Sequence, residues 1–406
     1  MLISLLIKNF RSILELELPL SYGEAKAPNG YQELTTLPFL EQGGHRGVPV
    51  LGLFGANASG KSNAILAMSI FKQLLGGHSP NLFMPNKLHL DMPATTLSIC
   101  GCLSDIGTFT YTVEYDAKEI LREVLDCEGK ILFEQNKSDI ELSGLQTKFY
   151  KKERLLDIYR VECLNREGKH TGCILSRIAM NYAGLNPVVA AVYESLNDDL
   201  DVYESNQFSN KDGLNALMAA LGKQNDARQA FAEIDVLLRK LDLGIQRMEY
   251  QPDVVTAADD ATEAIHTYHR NDRSEEVQFD FRDESMGTRA AFGLLGVCLA
   301  ALHTGKTLVI DEIDSSLHSL LAIEIIKLFK DKRYNYTNAQ LIFSAHNTDL
   351  LDRELLRVSE VGIVNKNLKH GSVLKRLSDF KGVRNVTNFR KQYLEGRFSG
   401  IPFPYL

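Results

Sequence analysis

The sequence predicts an α/β fold: a sheet built around a strand, a glycine-containing loop and a helix, an antiparallel β section beside it, and a helical insertion within the chain. Three observations predict it. The segment "LGLFGANASGKSN", residues 51 to 63, is a buried apolar run that breaks at a glycine and continues as a helix. From Thr96 to Phe133 the apolar period is two, as in "TFTYTVEY", which predicts antiparallel strands. From Ser176 to Leu243 the spacing turns helical, with polar breaks near 206–212 and 223–226 and no sustained heptads.

In chain order, residues 2–7 and 13–20 read as a hairpin with "KNFRS" at its turn, followed by a Gly-rich loop from Tyr22 to Gly47. Val48–Phe54 is a strand and Ser62–Leu75 a helix. Residues 252–275 read as an exposed loop, and after Glu276 strand, helix, strand, helix and strand alternate. The expected division is an N-terminal lobe over 1–150, a mainly helical insertion over 151–275 and a C-terminal lobe over 276–406.

Composition narrows the function classes. A chain of 406 residues can bury two or three cores, and no apolar stretch is long enough to span a bilayer. The apolar start "MLISLLIKNFRS" has its cations after the apolar run and reads as a strand rather than a leader. Cys100, Cys102, Cys127, Cys163, Cys173 and Cys298 lack CxxC spacing, which argues against a disulfide framework or a zinc site, and the cytoplasm is the expected compartment. Net charge is −7, so any nucleic-acid surface must be local. The candidate is Lys366–Arg397, where basic residues outnumber acidic ones nine to two. There Phe380, Phe389, Tyr393 and Phe398 interleave with Lys381, Arg384, Arg390, Lys391 and Arg397, which fits packing onto the body of the domain as well as a partner or nucleic acid.

Gly55, Gly60, Lys61 and Ser62 fit GxxxxGK[ST] between a strand and a helix, and a chance match somewhere in such a chain has odds on the order of 1%. The glycines let successive N–H groups face phosphate oxygens, Lys61 reaches the β- and γ-phosphates of a nucleotide, and the Ser62 hydroxyl suits Mg²⁺. In "KTLVIDEIDSSLH", residues 306–318, a buried strand delivers Asp311 and Glu312 at its carboxyl end. Asp311 suits the magnesium shell and Glu312 a proton from attacking water; the plain alternative is an acidic strand end without chemistry. In "AQLIFSAHNTDLLD", residues 339–352, a second buried strand ends at His346, either a structural histidine or a donor to the γ-phosphate. Between them "FDFRDESMGTRAAFGLL", residues 279–295, places Ser285 and Gly287 at the positive end of an amphipathic helix.

That order of motifs resembles the ATP-binding-cassette (ABC) ATPases, and within them the SMC and RecF branch, whose chains also begin with a strand, an Asn-Phe-Arg turn and a strand. More narrowly, "GANASGKSN", "ESMGT", "LVIDEIDSSLH", "SAHNTDLLD" and the tail resemble the compact bacterial AAA15-type, RloA-like ATPases of anti-phage systems, over residues 1–75 and 276–406. The resemblance implies an ABC-type ATPase head that binds and hydrolyses ATP with Mg²⁺ and dimerises on ATP. Asn57, Asn63 and Arg11 would join Gly55, Gly60, Lys61 and Ser62 around the nucleotide. Ser285 and Gly287 would be the signature that caps it from the opposite subunit, and Asp314 would stand in the D-loop. It also implies a separate TOPRIM-like or RloB-like nuclease effector; nucleic acid stays open as a partner, and no membrane is implied. The alternative is a DNA repair or recombination ATPase that clamps duplex DNA. ESMGT departs from LSGGQ, and neither Gln73 nor Gln135 convinces as a Q-loop residue.

Other readings are weaker. A transporter subunit fits poorly, because Glu284 lies 222 residues after Ser62. Kinase chemistry gives the histidine strand no role, and no GxSxG elbow or nuclease site is present. His266 and His269 have the spacing of metal ligands on one helix face but lack a third ligand. Cys100 and Cys102 face one side of a strand, where packing is the simpler role.

Overall fold

The structure, a computed structural model, describes residues 1–22, 40–77, 82–88, 92–136, 139–147, 150–182, 184–203, 210–221, 224–240, 244–251, 264–315, 319–367, 369, 371–383 and 388–400. It is a mixed α/β fold with a large central sheet. Among the described residues thirteen strands form that sheet, and its two halves differ in kind. One half is an antiparallel meander that runs from Asp139–Glu141 through Lys130–Asn136, Ile120–Cys127, Gly107–Tyr115 and Thr95–Leu103 to the N-terminal hairpin of Leu2–Phe10 and Ile13–Pro19. The other is parallel: Val361–Asn367, Val50–Phe54, Gln340–Ser344, Thr307–Ile310 and Leu200–Tyr203, in that spatial order. Gly371–Arg376 joins the halves, antiparallel to both Val361–Asn367 and Ile13–Pro19.

The parallel strands are buried along their whole length in Val50–Phe54, Gln340–Ser344 and Thr307–Ile310, as a sheet covered on both faces requires. Alternate residues serve alternate cores. Leu51, Leu53, Val309 and Ile342 pack with helix Lys61–Leu75 and the antiparallel half; Val50, Phe54, Ile310 and Phe343 pack with helices Met286–Thr304 and Ser319–Lys330. Contrary to the expectation that no apolar stretch is long enough to span a bilayer, helix Met286–Thr304 is long and apolar enough by composition, and it is mostly buried here as a core helix.

Helix Ile174–Asn181 docks onto the antiparallel half through a buried carboxyl group. The fully buried Glu123 carboxylate accepts from the N–H groups of Ile174 and Leu175 at 2.8 and 3.0 Å, and from the Tyr111 hydroxyl at 2.8 Å. A carboxylate at a helix N-terminus satisfies orphan donors and opposes the helix dipole, so its burial is compensated.

Three local expectations need correction. The insertion is not helical throughout: Leu200–Tyr203 is an edge strand of the central sheet, tied down by Lys72 and Lys306, each 3.1 Å from an Asp201 oxygen. Four residues carry too little periodicity to be seen among helices. The stretch read as exposed loop contains the strand Ile265–Arg270, centred between Arg247–Tyr250 and Glu276–Asp280 in a three-stranded sheet; 252–263 of that reading lie outside the described residues. His266 and His269 are therefore on opposite strand faces, not one helix face, and no group of metal-ligating side chains is found among the described residues. Most of the Gly-rich loop, residues 23–39, also falls outside them.

In the tail, Phe389, Tyr393 and Phe398 are buried, and Phe380 packs partly against the same core. Of the interleaved cations, Arg390 reaches back to the domain, pairing with Asp349 at 3.1 Å, and Arg397 donates within the tail to Gln392 at 2.6 Å. Arg384 lies outside the described residues.

Helix Gln224–Lys240 is clamped to the end of helix Met286–Thr304 by His303, which reaches Glu233 at 2.9 Å and the Tyr336 hydroxyl at 3.2 Å. The hydrogen bond to Glu233 raises the imidazole pKa above its ordinary 6.5, against partial burial. A raised folded-state value means the stabilisation is full below the unfolded pKa and is lost as pH rises through the folded one. Melting of His303→Gln should fall below wild type at about pH 5.5, and the gap should close by about pH 8.5. A gap independent of pH would assign the contact to packing alone.

Candidate nucleotide site

The loop between Val50–Phe54 and Lys61–Leu75 is shaped by two glycines that no other residue could replace. Gly55 has φ +152° and a Cβ there would collide with the Val364 carbonyl oxygen; Gly60 has φ +112° and a Cβ there would strike the Ser372 hydroxyl. Gly60 is also the N-cap of the helix, and no side chain caps it or places acid in the first turn. The positive end of the helix thus faces the cleft with its N–H groups uncommitted to side chains. Lys61 folds back under the loop, its ammonium donating to the Gly55 and Ala56 carbonyls at 2.8 and 3.2 Å. Burial pushes the pKa of that ammonium below its ordinary value, while the carboxylates of Asp311, Glu312 and Asp314 pull the other way.

Strand order brings the distant motifs to this loop. Gln340–Ser344 lies between the loop's strand and Thr307–Ile310, so the carboxyl ends of all three open on one edge. Ser62 Oγ donates to Asp311 Oδ1 at 3.2 Å across 249 residues of sequence. Glu312 follows with φ +51° and its carboxylate stands 3.4 Å from His346 Nε2. Asp314 accepts from the His346 N–H at 2.9 Å and from the Asn347 N–H, which ties the turn after one strand to the turn after the next. The result is a cleft of about 400 Å³, whose lining includes Asn57, Lys61, Ser62, Asn63, Glu312 and His346.

The remaining predicted residues lie apart from it. Arg11 has φ +49° at the hairpin turn, is exposed, and does not line the cleft. Its neighbour Ser12 does, accepting from Asn63 Nδ2 at 2.7 Å and pairing with the Ser372 hydroxyl at 2.7 Å. Ser285 is the N-cap of helix Met286–Thr304, accepting from the Thr288 N–H at 3.1 Å. Ser285, Met286 and Gly287 are exposed and none lines the cleft of their own chain. Glu284 beside them is anchored by His269 at 2.6 Å and by the Thr267 hydroxyl.

Sequence reading missed Ser12, Lys366 and Ser344. Ser12 stands inside the quoted "KNFRS" and was legible as part of the turn. Lys366, exposed at the rim, belongs to a strand with no motif, and only the parallel pairing of that strand with Val50–Phe54 brings it to the cleft. Ser344 is inside a quoted stretch but looks like an ordinary buried strand residue.

Residues 165–352 match the family described as "AAA domain, putative AbiEii toxin, Type IV TA system". No curated protein matches the chain. Among solved structures, the Smc head bound to the C-winged helix domain of ScpA is 15% identical, covering 94% of this chain and 99% of that one with a TM-score of 0.46. The recombination mediator protein RecF-ATPrS of the RecFOR pathway is 12% identical, covering 93% and 98%, with a TM-score of 0.38. Over residues 165–352 the chain is similar to that AAA domain family, and the matched range holds Asp311, Glu312 and His346, while the phosphate loop that faces them precedes it.

Proposed function

We propose that the chain is an ATP-binding and ATP-hydrolysing ATPase of the ABC, SMC and RecF type that closes as a homodimer on ATP and controls a separate, nuclease-like effector in anti-phage defence. The observation that carries the reading is the convergence of Lys61, Ser62, Glu312 and His346 in one cleft, with Asp311 hydrogen-bonded to Ser62. Lys61 and the loop N–H groups bind the phosphates of ATP, with Asn57 and Asn63 around them. The hard oxygens of Ser62 and Asp311 face each other at 3.2 Å, a donor pair that suits Mg²⁺. When bound, Mg²⁺ neutralises phosphate charge. Glu312 takes a proton from the attacking water, and His346, 3.4 Å from it, donates toward the γ-phosphate. Ser285 and Gly287, exposed at a helix start away from the cleft, serve the nucleotide of a second subunit. The D-loop aspartate, Asp314, links the two strand ends.

A partner protein is favoured over DNA because the chain's net charge is −7 and Arg390 of the basic tail is paired with Asp349. The second reading, a clamp on duplex DNA, draws on the exposed Lys366, Lys369 and Lys381. A salt series separates them: a clamp binds duplex DNA with a steep salt slope, whereas an effector controller binds its partner with or without DNA.

Titration with a fluorescent ATP analogue tests the site itself. Lys61→Ala should weaken binding by about tenfold or more, some 1.4 kcal/mol, with the fold retained. Unchanged affinity would remove the assignment of the loop.

A further inference from the structure

We propose that Ser344 is a positioning residue that sets the geometry of Glu312 and Asp311; the inference rests on the ATPase reading above and goes beyond it in naming what aims the two carboxylates. Ser344 is fully buried at the end of the central strand Gln340–Ser344 and does not line the cleft, so it touches no substrate. Its hydroxyl has two partners, both in the neighbouring turn. It donates to Asp311 Oδ1 and accepts from the Glu312 N–H at 2.8 Å. The backbone of the same residue adds a third tie, its carbonyl accepting from the Ile313 N–H at 3.0 Å.

These ties hold Glu312 in an unusual conformation. At φ +51° a residue with a Cβ is in the left-handed region, which such residues leave unless the surroundings hold them there. That turn carries the Glu312 side chain away from the strand and into the cleft, one-third exposed and 3.4 Å from His346. Without the hydroxyl, the Glu312 N–H loses its acceptor, and only the Ile313 N–H still ties the turn to residue 344. The same loss strips Asp311 of one of its two hydroxyl donors, leaving Ser62. Ser344 therefore links the group that meets Ser62 to the group that takes the proton, and a buried serine placed only for packing would touch neither.

The test is steady-state ATP hydrolysis together with ATP affinity for wild type, Ser344→Ala and Ser344→Thr, with melting curves for each. Ser344→Ala should lower kcat by about tenfold or more while KM and the ATP Kd stay within about threefold, because a small displacement of a proton acceptor costs rate whereas the phosphate contacts are untouched. Ser344→Thr, which keeps the hydroxyl, should restore kcat to within about threefold of wild type. Should Ser344→Ala not fold, Ser344→Cys takes its place with the same expected split, its thiol being a weak donor and acceptor. The inference is overturned if the hydroxyl-free or thiol variant keeps kcat within about twofold of wild type, if Kd rises in step with the loss of rate, or if threonine fails to rescue. Absence of turnover in wild type would instead overturn the ATPase reading, and the inference with it.

Discussion

Glu312→Gln should bind ATP with an affinity within about threefold of wild type and lose at least about a hundredfold in turnover, close to 2.7 kcal/mol of barrier. The amide can still orient a water molecule but cannot accept its proton. Binding should survive because Glu312 is not among the groups proposed to hold phosphate, which are Lys61 and the loop N–H groups, and the Glu312 backbone stays tied to Ser344 through its N–H. The change also removes a negative charge 3.4 Å from His346 and near the Lys61 ammonium, so any shift in affinity should be small. ATP-bound protein should accumulate, seen as retained unhydrolysed nucleotide after desalting. Phosphate release near the wild-type rate would assign the base to another carboxylate, with Asp314 the first to test.

Mixing two inactive variants should recover activity that neither has alone. Lys61→Ala disables the phosphate loop, and Ser285→Arg puts a long side chain at the exposed start of helix Met286–Thr304, where a second subunit's γ-phosphate is proposed to approach. A heterodimer of the two contains one composite site with an intact loop and an intact signature. The mixture should therefore regain about a quarter of the wild-type rate, from half the dimers each with one of two sites, at matched concentration. Ser285→Arg also removes the cap on the Thr288 N–H, which costs about 1 kcal/mol, so melting curves should accompany the rates. The isolated variant should still bind ATP, since Ser285 does not line the cleft of its own chain. No recovery, with heterodimers verified by mass, would count against a head-to-tail sandwich and favour sites completed within one chain.

What was legible in the chain followed from strong local signals. The phosphate loop is a single stretch whose glycines, lysine and serine are dictated by backbone geometry and charge, so Gly55, Gly60, Lys61 and Ser62 were readable without a fold. The Asp311 and His346 strands announced themselves as apolar runs ending in polar residues, and the period-two pattern from Thr96 announced the meander. The edge strand Leu200–Tyr203 was hidden among helices because four residues hold no periodicity of their own. Ile265–Arg270 was hidden because "IHTYHR" is mostly polar and owes its extended form to strands on both sides.

By itself, then, the sequence determined the class of fold, the glycine-shaped loop between strand and helix, and the strands that end at Asp311 and His346. These depend on hydrogen-bond needs and side-chain chemistry within a few residues of one another. Only the tertiary structure decided that Gln340–Ser344 lies between the other two strands, and so that Ser344 meets Asp311 and Glu312 and that Ser62 meets Asp311. Only there, too, did Ser12 and Lys366 join the cleft while Arg11 and Ser285 stood outside it. Strand order is settled by which faces bury each other across hundreds of residues, and no short stretch of sequence carries that balance.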